Sequence, residues 1–226
     1  MINMKFLKKH IVFYAFFCCM TSLFADDARI LFQAAVRDDE SAVVALALRG
    51  ADLNSRNDKG EHALLVAIRQ GSRKVADFLV RQNVVDVNAK SLVGETPLML
   101  AAIGGDLELA RRLIVHRKAE VNQPGWTALH YAASSKSPAS VDMVHLLLEH
   151  HAYIDAESPN RTTPLMMAAQ YGLPEVVTLL LDQGADPSLR NDKGLTAIDF
   201  ARIARREADA ERIAAAIRAR QPAGRW

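Results

Sequence analysis

The sequence predicts an all-α fold, a solenoid of about six helix-turn-helix repeats joined by β-turn loops. A seven-residue motif is written three times, as TPLMLAA at 96–102, TALHYAA at 127–133 and TPLMMAA at 163–169. The apolar residue in its third place recurs at intervals of 33, 34, 31, 36 and 33 residues, at Leu31, Leu64, Leu98, Leu129, Leu165 and Ile198. With 226 residues, 50% of them hydrophobic, the chain can bury a substantial core.

The motif itself predicts the first helix of each repeat. Thr96 and Thr163 suit the N-cap position, where a side-chain oxygen accepts a hydrogen bond from a free backbone amide. Pro97 and Pro164 follow at the first helical position, which tolerates proline. The alanine pairs at 101–102, 132–133 and 168–169 leave little side-chain volume, so neighbouring helices can approach closely.

A second helix is predicted after each motif, because apolar residues recur there at helical spacing. These stretches are 75–80, 107–115, 141–148 and 176–181. Gly50 and Gly184 then stand where a helix end commonly needs a left-handed residue, and Asn83, Lys118 and His151 take the equivalent places in other repeats. Turns such as NDKG at 57–60 and 191–194 follow.

This pattern resembles the ankyrin repeat, whose signature is T-P-L-H-x-A at a period of 33 residues. The resemblance covers residues 26–220 and implies one array whose turns project as fingers beside a concave face. Its repeats are predicted at about 26–57, 58–90, 91–123, 124–157, 158–190 and 191–220, followed by a short tail at 221–226. The first and last repeats have the character of caps, which need a polar outer face.

Residues 1–25 have the layout of a secretory signal peptide. Lys5, Lys8 and Lys9 precede an apolar run at 11–24, and Ala25 offers a cleavage site. The run is about 14 residues long, shorter than the roughly 20 that a membrane helix needs. We therefore expect an exported, periplasmic protein with no stable membrane insertion after cleavage; a membrane-tethered effector component is the alternative.

The charge balance excludes a nucleic-acid partner. Of the 28 Lys and Arg residues, three lie in the first 25 residues, so 25 remain against 26 acidic residues. A chain near neutrality lacks the positive charge that phosphate backbones attract. The seven arginines between 202 and 225 alternate with Glu207, Asp209 and Glu211, which is typical of a solvated cap; an acidic partner for them is the alternative.

No catalytic or cofactor-binding motif is present in the sequence, so we expect no enzyme activity, cofactor, metal or small-molecule substrate. His130 precedes Ser134 and Ser135, but it falls on the histidine of the ankyrin-like motif, where the resemblance implies a structural bond between repeats. His145, Glu149, His150 and His151 are the densest set of potential metal ligands. A hydrolytic or metal-dependent enzyme based on them is the second alternative.

The resemblance instead implies a protein partner, bound by a monomer at the finger tips and the exposed ends of the first helices. Large apolar side chains at those places are not needed for the core, and Trp and Tyr are enriched in interface hot spots. The predicted partner-binding residues are Leu92, Val93, Ile103, Trp126, Ser134, Ser135, Gln170 and Tyr171.

Overall fold

The computed structural model describes residues 26–220, which fall into two compact units at 26–92 and 93–220. The described residues form paired α-helices, and one isolated antiparallel bridge joins Arg56 to His62. The predicted all-α repeat fold is confirmed. The predicted signal peptide and tail lie outside the described residues.

The N-terminal unit contains four helices in its described part. They are α1 at 26–37, α2 (Glu40–Leu48), α3 (Ala63–Gln70) and α4 (Arg73–Arg81). Helix α4 packs against both α2 and α3. Leu46, Leu64 and Leu79 are each at most 1% exposed and form the centre of this core.

The C-terminal unit arranges its helices in two layers. The helices are α5 (Pro97–Gly104), α6 (Leu107–Arg111), α7 (Ala128–Ser134), α8 (Ser140–Glu149), α9 (Pro164–Tyr171), α10 (Pro174–Asp182), α11 (Ala197–Ile203) and α12 (Glu207–Arg220). The odd-numbered helices pack each on the next, and so do the even-numbered ones. Helix α6 continues as a π-helical turn, Arg112–His116, in which Arg117 N–H donates to the Arg112 carbonyl at 3.1 Å.

The helix starts follow the predicted chemistry. Helix α5 begins at Pro97; the Thr96 hydroxyl accepts from the Met99 N–H at 3.3 Å, and the Met99 Sδ accepts from the Thr96 N–H at 3.4 Å. Thr163 and Met166 repeat this arrangement before α9. Each cap therefore ties a buried methionine to the N-terminus of its own helix.

The helix ends follow the prediction with one exception. Gly50, Lys118 and His151 have φ angles of +75°, +55° and +64°, in the left-handed region. Asn83 does not, and the expectation for it was wrong. Helix α4 ends at Arg81, and the chain leaves it through Gln82 in an extended conformation.

Small residues allow close approach between successive first helices. The alanines of all three pairs are at most 1% exposed. Where α9 ends, a Cβ on Gly172 would lie 2.1 Å from the Ala133 carbonyl oxygen of α7. The backbone itself forms the contact there, so the spacing of the two helices depends on the absence of a side chain.

Polar side chains in the loops that follow the second helices join consecutive repeats. Asn54 accepts from the Asp86 N–H at 2.8 Å and donates to the Val84 carbonyl at 2.6 Å. Asn122 accepts from the Tyr153 N–H and donates to the His151 carbonyl in the same way. The equivalent residue of the next repeat is Asp155, whose two oxygens accept from the Asp186 N–H at 3.0 and 3.2 Å.

Candidate protein-interaction surface

Three of the predicted partner-binding residues meet around one shallow pocket in the C-terminal unit. Ile103 at the end of α5, Trp126 just before α7 and Ser134 at the end of α7 line it. The complete lining, which we name the Trp126 pocket, is Ile103, Trp126, His130, Tyr131, Ser134 and Met167. Its volume is about 240 Å³ and its walls are predominantly apolar.

Trp126 is positioned by a short turn and by His130. Gly125 takes a φ of +87°, and the Gln123 side chain donates to the Trp126 carbonyl at 2.9 Å. The indole then meets the His130 ring edge to face, with centroids 5.2 Å apart and planes at 76°. Such a pair is attractive because the positive edge of one ring faces the negative face of the other. Trp126 nevertheless stays partly exposed.

His130 is held by hydrogen bonds at both ring nitrogens. Its Nε2 lies 2.9 Å from the Thr162 carbonyl, which only accepts, so Nε2 carries the proton and Nδ1 accepts from the Thr127 N–H at 3.2 Å. Burial is the main cause that lowers the pKa of His130, outweighing the backbone hydrogen bonds that raise it. The ring is a neutral bridge between two repeats, with neither nitrogen directed at a serine.

The two serines near His130 have separate structural partners. Ser134 is half-buried and its hydroxyl donates to the Tyr131 carbonyl at 3.0 Å. Ser135 is only 2% exposed, and its hydroxyl donates to the Ile103 carbonyl at 2.8 Å. The prediction that Ser135 lies on the exposed surface was therefore wrong; the serine caps the end of the preceding first helix instead.

Of the other pocket residues, His130 was predicted to be structural, whereas Tyr131 and Met167 were not predicted to contact a partner. They occupy the same place in consecutive repeats, the fifth position of the seven-residue motif. The Tyr131 hydroxyl lies 3.5 Å from Glu95 Oε1. The signal in the sequence that could have identified these two residues is their shared fifth position in the motif, because that position recurs at the period of the array.

Gln170 and Tyr171 lie on α9 beyond the pocket lining. Tyr171 is 47% exposed and Gln170 is half-buried. They stand three and four residues after Met167, so they share its helix face. Tyr171 is thus an exposed aromatic ring on the same helix face as a pocket residue.

Leu92 and Val93 fall in different units and are described separately. Each is 79% exposed. In the N-terminal unit Leu92 covers Gly60 so closely that a Cβ on this glycine would lie 2.9 Å from the Leu92 side chain. Val93 is the first residue of the C-terminal unit. Both side chains are largely open to water.

The histidine-rich segment of α8 is dispersed. His145 and Glu149 are exposed, His150 is half-buried, and His151 follows the helix end with its carbonyl bonded to Asn122. Among the described residues no group of three or more His, Cys, Asp or Glu side chains is placed to hold a metal ion.

Several C-terminal arginines have structural roles. Arg206 donates to the Ala168 carbonyl at 2.9 Å and pairs with Asp209 at 2.7 Å. Asp209 is 3% exposed and also pairs with Arg212. Arg220 donates to the Ala185 carbonyl at 2.8 Å. Arg206 and Arg220 therefore cap carbonyl groups of the preceding repeat.

In residues 26–220 no helix combines the length and the apolar character needed to cross a membrane.

Comparison with known families finds one recurring match. The model described as "Ankyrin repeats (3 copies)" matches residues 31–124, 82–158, 104–191 and 139–213. Together these matches cover most of the chain, including both units.

Curated relatives match over part of their own length. The human transient receptor potential cation channel subfamily A member 1 is 28% identical over 151 residues, which is 64% of this chain and 14% of the channel. The ankyrin repeat and SAM domain-containing protein 6 of Mus musculus is 35% identical over 144 residues, 63% of this chain and 12% of that protein. The chain therefore spans well under a fifth of these relatives.

Two solved structures are similar over nearly their whole length. A chain from the complex of the Bd0816 predatory endopeptidase of Bdellovibrio bacteriovorus with immunity protein Bd3460 superposes with a TM-score of 0.69 and 27% identity, covering 82% of this chain and 97% of that one. An ankyrin repeat domain from Acinetobacter baumannii gives a TM-score of 0.66 and 27% identity, with 82% and 96% coverage.

Proposed function

Because the chain belongs to the ankyrin-repeat family, whose members generally mediate protein-protein interaction, we propose that it is a binding protein whose main anchor site is the Trp126 pocket. One observation carries this assignment: Ile103, Trp126, Tyr131 and Met167 place partly exposed apolar surface in one concavity between successive first helices.

The polar groups of the pocket indicate what it recognises. Both His130 nitrogens, the Ser134 hydroxyl and the Tyr131 hydroxyl already have partners within the protein. The donor hydrogens of these groups are therefore already engaged, and because the walls are predominantly apolar, a polar ligand group would gain few hydrogen bonds for the water it loses. The pocket therefore favours an apolar or aromatic side chain projecting from a protein partner, and Tyr171 adds a neighbouring aromatic contact.

The site is also largely preorganised, which favours affinity. Gln123 holds the Trp126 backbone carbonyl, the indole packs edge to face on His130, and His130 is bonded to Thr127 and Thr162. Binding to side chains that are already ordered avoids about 0.5–1.5 kcal/mol of ordering cost for each one. We propose that a monomer binds in this way.

Export to the periplasm is the second part of the proposal. Lys5, Lys8 and Lys9 before the apolar run at 11–24 support it, with cleavage after Ala25. N-terminal sequencing of the product recovered from its source cells should then begin at Asp26. Recovery of intact residues 1–25 in the membrane fraction would support the tethered alternative.

A peptidase is a candidate class of partner. The observation that favours it is the similarity, over 97% of its length, to a chain from a complex of an endopeptidase with an immunity protein. We propose that the chain inhibits an exported endopeptidase of its own source. Titrating such an enzyme with the chain from Asp26 onward should abolish peptide cleavage at a one-to-one ratio, whereas unchanged cleavage at excess would exclude this class.

The pocket is tested by crosslinking followed by affinity measurement. A photoreactive phenylalanine analogue at Tyr131 should crosslink one partner, and the same analogue at the exposed Tyr153, outside the pocket lining, serves as the control. With the identified partner purified, Trp126→Ala should weaken binding at least tenfold, as expected for an aromatic hot spot. Tyr153→Ala should bind like the wild type.

Folding of the Trp126→Ala variant is checked by its circular dichroism and melting temperature. A folded Trp126→Ala variant that binds with unchanged affinity would exclude the Trp126 pocket as the anchor site. Equal crosslinking from positions 131 and 153 would also contradict the proposal.

A further inference from the structure

His62 occupies a position that other repeats give to threonine. It is the N-cap of α3, in an extended conformation, and its side chain makes no capping hydrogen bond. Before the first helices of the next four repeats this residue is Thr96, Thr127, Thr163 and Thr196. The histidine therefore gives up a small capping side chain for a larger, titratable one.

The His62 ring is buried without a hydrogen-bond partner. The residue is 5% exposed, and neither Nδ1 nor Nε2 has an acceptor or donor within reach among the described residues. His130, the buried histidine of a later repeat, has partners at both nitrogens. An imidazolium at position 62 would bury a charge and two N–H donors with no acceptor, which is strongly unfavourable.

The charged groups around His62 have opposing effects on its pKa. Arg56, paired with His62 across the antiparallel bridge, donates to the Gly60 carbonyl at 2.5 Å and the Lys90 carbonyl at 3.1 Å. Asp52 and Asp86 attract a proton to His62, but each accepts a backbone N–H of its own turn, from Asn54 and Asn88 respectively. Burial first and Arg56 second lower the pKa of His62, and the two carboxylates only partly compensate.

We propose that His62 makes the N-terminal unit acid-sensitive, so that the finger at 52–61 and the start of α3 are held at neutral pH and released as the medium becomes acidic. A protonated His62 ring would lie opposite the Arg56 cation and would need water to accept its hydrogen bonds. Separation of the Arg56–His62 bridge moves the two cations apart and admits that water. The finger tip formed by Asp58 and Lys59 is then no longer held in a fixed position.

The direction follows from proton linkage. The pKa of His62 in the folded unit lies below the usual histidine value of 6.5. The stabilising contribution of the neutral ring is therefore complete above pH 6.5 and is lost as the pH falls from there through the folded pKa. Over that interval one proton taken up only on opening raises the opening equilibrium constant by up to about tenfold per pH unit.

Hydrogen exchange of the full chain tests this inference. After correction for the intrinsic pH dependence of exchange, amides of α3 should lose protection by up to about fivefold from pH 6.5 to 5.5, while those of α9 change less. His62→Thr restores the residue used by the other repeats and should remove the pH dependence of α3 protection. His145→Thr, which removes an exposed histidine, should leave it as in the wild type.

Direct titration of the histidine ring by NMR gives a second measurement that needs no variant to fold. The His62 Cε1–H resonance should titrate below pH 6.5. Titration of His62 at or above 6.5 would overturn the inference. Equal loss of α3 protection in wild type and His62→Thr would overturn it as well, whatever the outcome of the partner-binding experiments.

Discussion

At the scale of single residues, Asp155 is less favourable than the asparagine that two earlier repeats carry at the equivalent position. Asn54 and Asn122 each use an amide to accept from and donate to the next repeat. A carboxylate at 155 only accepts. Burial raises its pKa, with a further increase from Asp186, while the Asp186 N–H and Arg220 act in the opposite direction. The carboxylate is therefore less favourable in the folded chain than in the unfolded one.

Asp155→Asn should stabilise the protein at pH 7, by about 0.5–1.5 kcal/mol, the usual net contribution of a hydrogen bond. Because the folded pKa of Asp155 is raised, wild type is penalised once the pH rises through that pKa, and the gain from the variant should shrink towards pH 3.8 and below. Urea denaturation at pH 7 and pH 4 measures both effects. Asp142→Asn on exposed surface is the control, and an equal gain from it would contradict the explanation.

Gly172 is a position where space decides which residue is tolerated. Its φ of −77° suits any residue, but a Cβ would lie 2.1 Å from the Ala133 carbonyl oxygen. Gly172→Ala should cost about 1–3 kcal/mol, the range for overpacking a tight contact. Gly104→Ala, in a helix with nothing within 4 Å of its Cβ, should be neutral or stabilising. Thermal melts compare the two, and similar melting temperatures would contradict the argument from space.

At the scale of elements, the contribution of Arg206 to stability through its bond to α9 can be measured separately from the effect of net charge near the C-terminus. Arg206 caps the Ala168 carbonyl and pairs with the buried Asp209. Arg206→Met keeps much of the side-chain volume but leaves the Ala168 carbonyl and the Asp209 carboxylate with fewer partners. It should therefore lower the free energy of unfolding by about 1–3 kcal/mol. Arg202→Met removes an exposed charge and should change stability by less than about 0.5 kcal/mol. Guanidinium denaturation decides, and equal effects would mean that net charge is responsible.

The sequence pattern was a good guide to where elements begin. Threonine followed by proline marks a cap whose chemistry is local, so α5 and α9 begin at Pro97 and Pro164 as predicted. The π-helical turn at Arg112–His116 was not predicted, because an apolar spacing cannot distinguish one added residue within a helix from a regular one. The burial of Ser135 was missed because it depends on the Ile103 carbonyl, 32 positions away.

The same distinction applies to the candidate site. Ile103, Trp126 and Ser134 could be selected because large or polar residues stood where the repeat period predicts surface. Tyr131 and Met167 lie inside the motif, among residues that mostly pack in the core, so hydrophobicity alone could not separate them. Their partial exposure depends on how neighbouring repeats pack, which the spacing of apolar residues along the sequence does not determine.

At the scale of the whole molecule, each unit is held together mainly by contacts between adjacent repeats. Side chains of Asn54, Asn122 and Asp155 reach the next repeat, and the His130 ring does the same at the start of a first helix. Such an arrangement makes stability a sum over repeats and their interfaces. A partly exposed residue such as Trp126 can therefore change while the interfaces that support the fold are kept.

The hydrogen bonds made by Asn54, Asn122 and Asp155, and those from Arg206 and Arg220 to backbone carbonyls, also show how far apart in the sequence contacting residues lie. They join residues separated by 29 positions, as for Asn122 and His151, up to 39, as for Arg220 and Leu181. Chains whose contacts are this local close small loops and fold quickly for their size. A repeat can therefore acquire its native partners as soon as the next 40 or so residues are free to fold, without waiting for the far end of the chain.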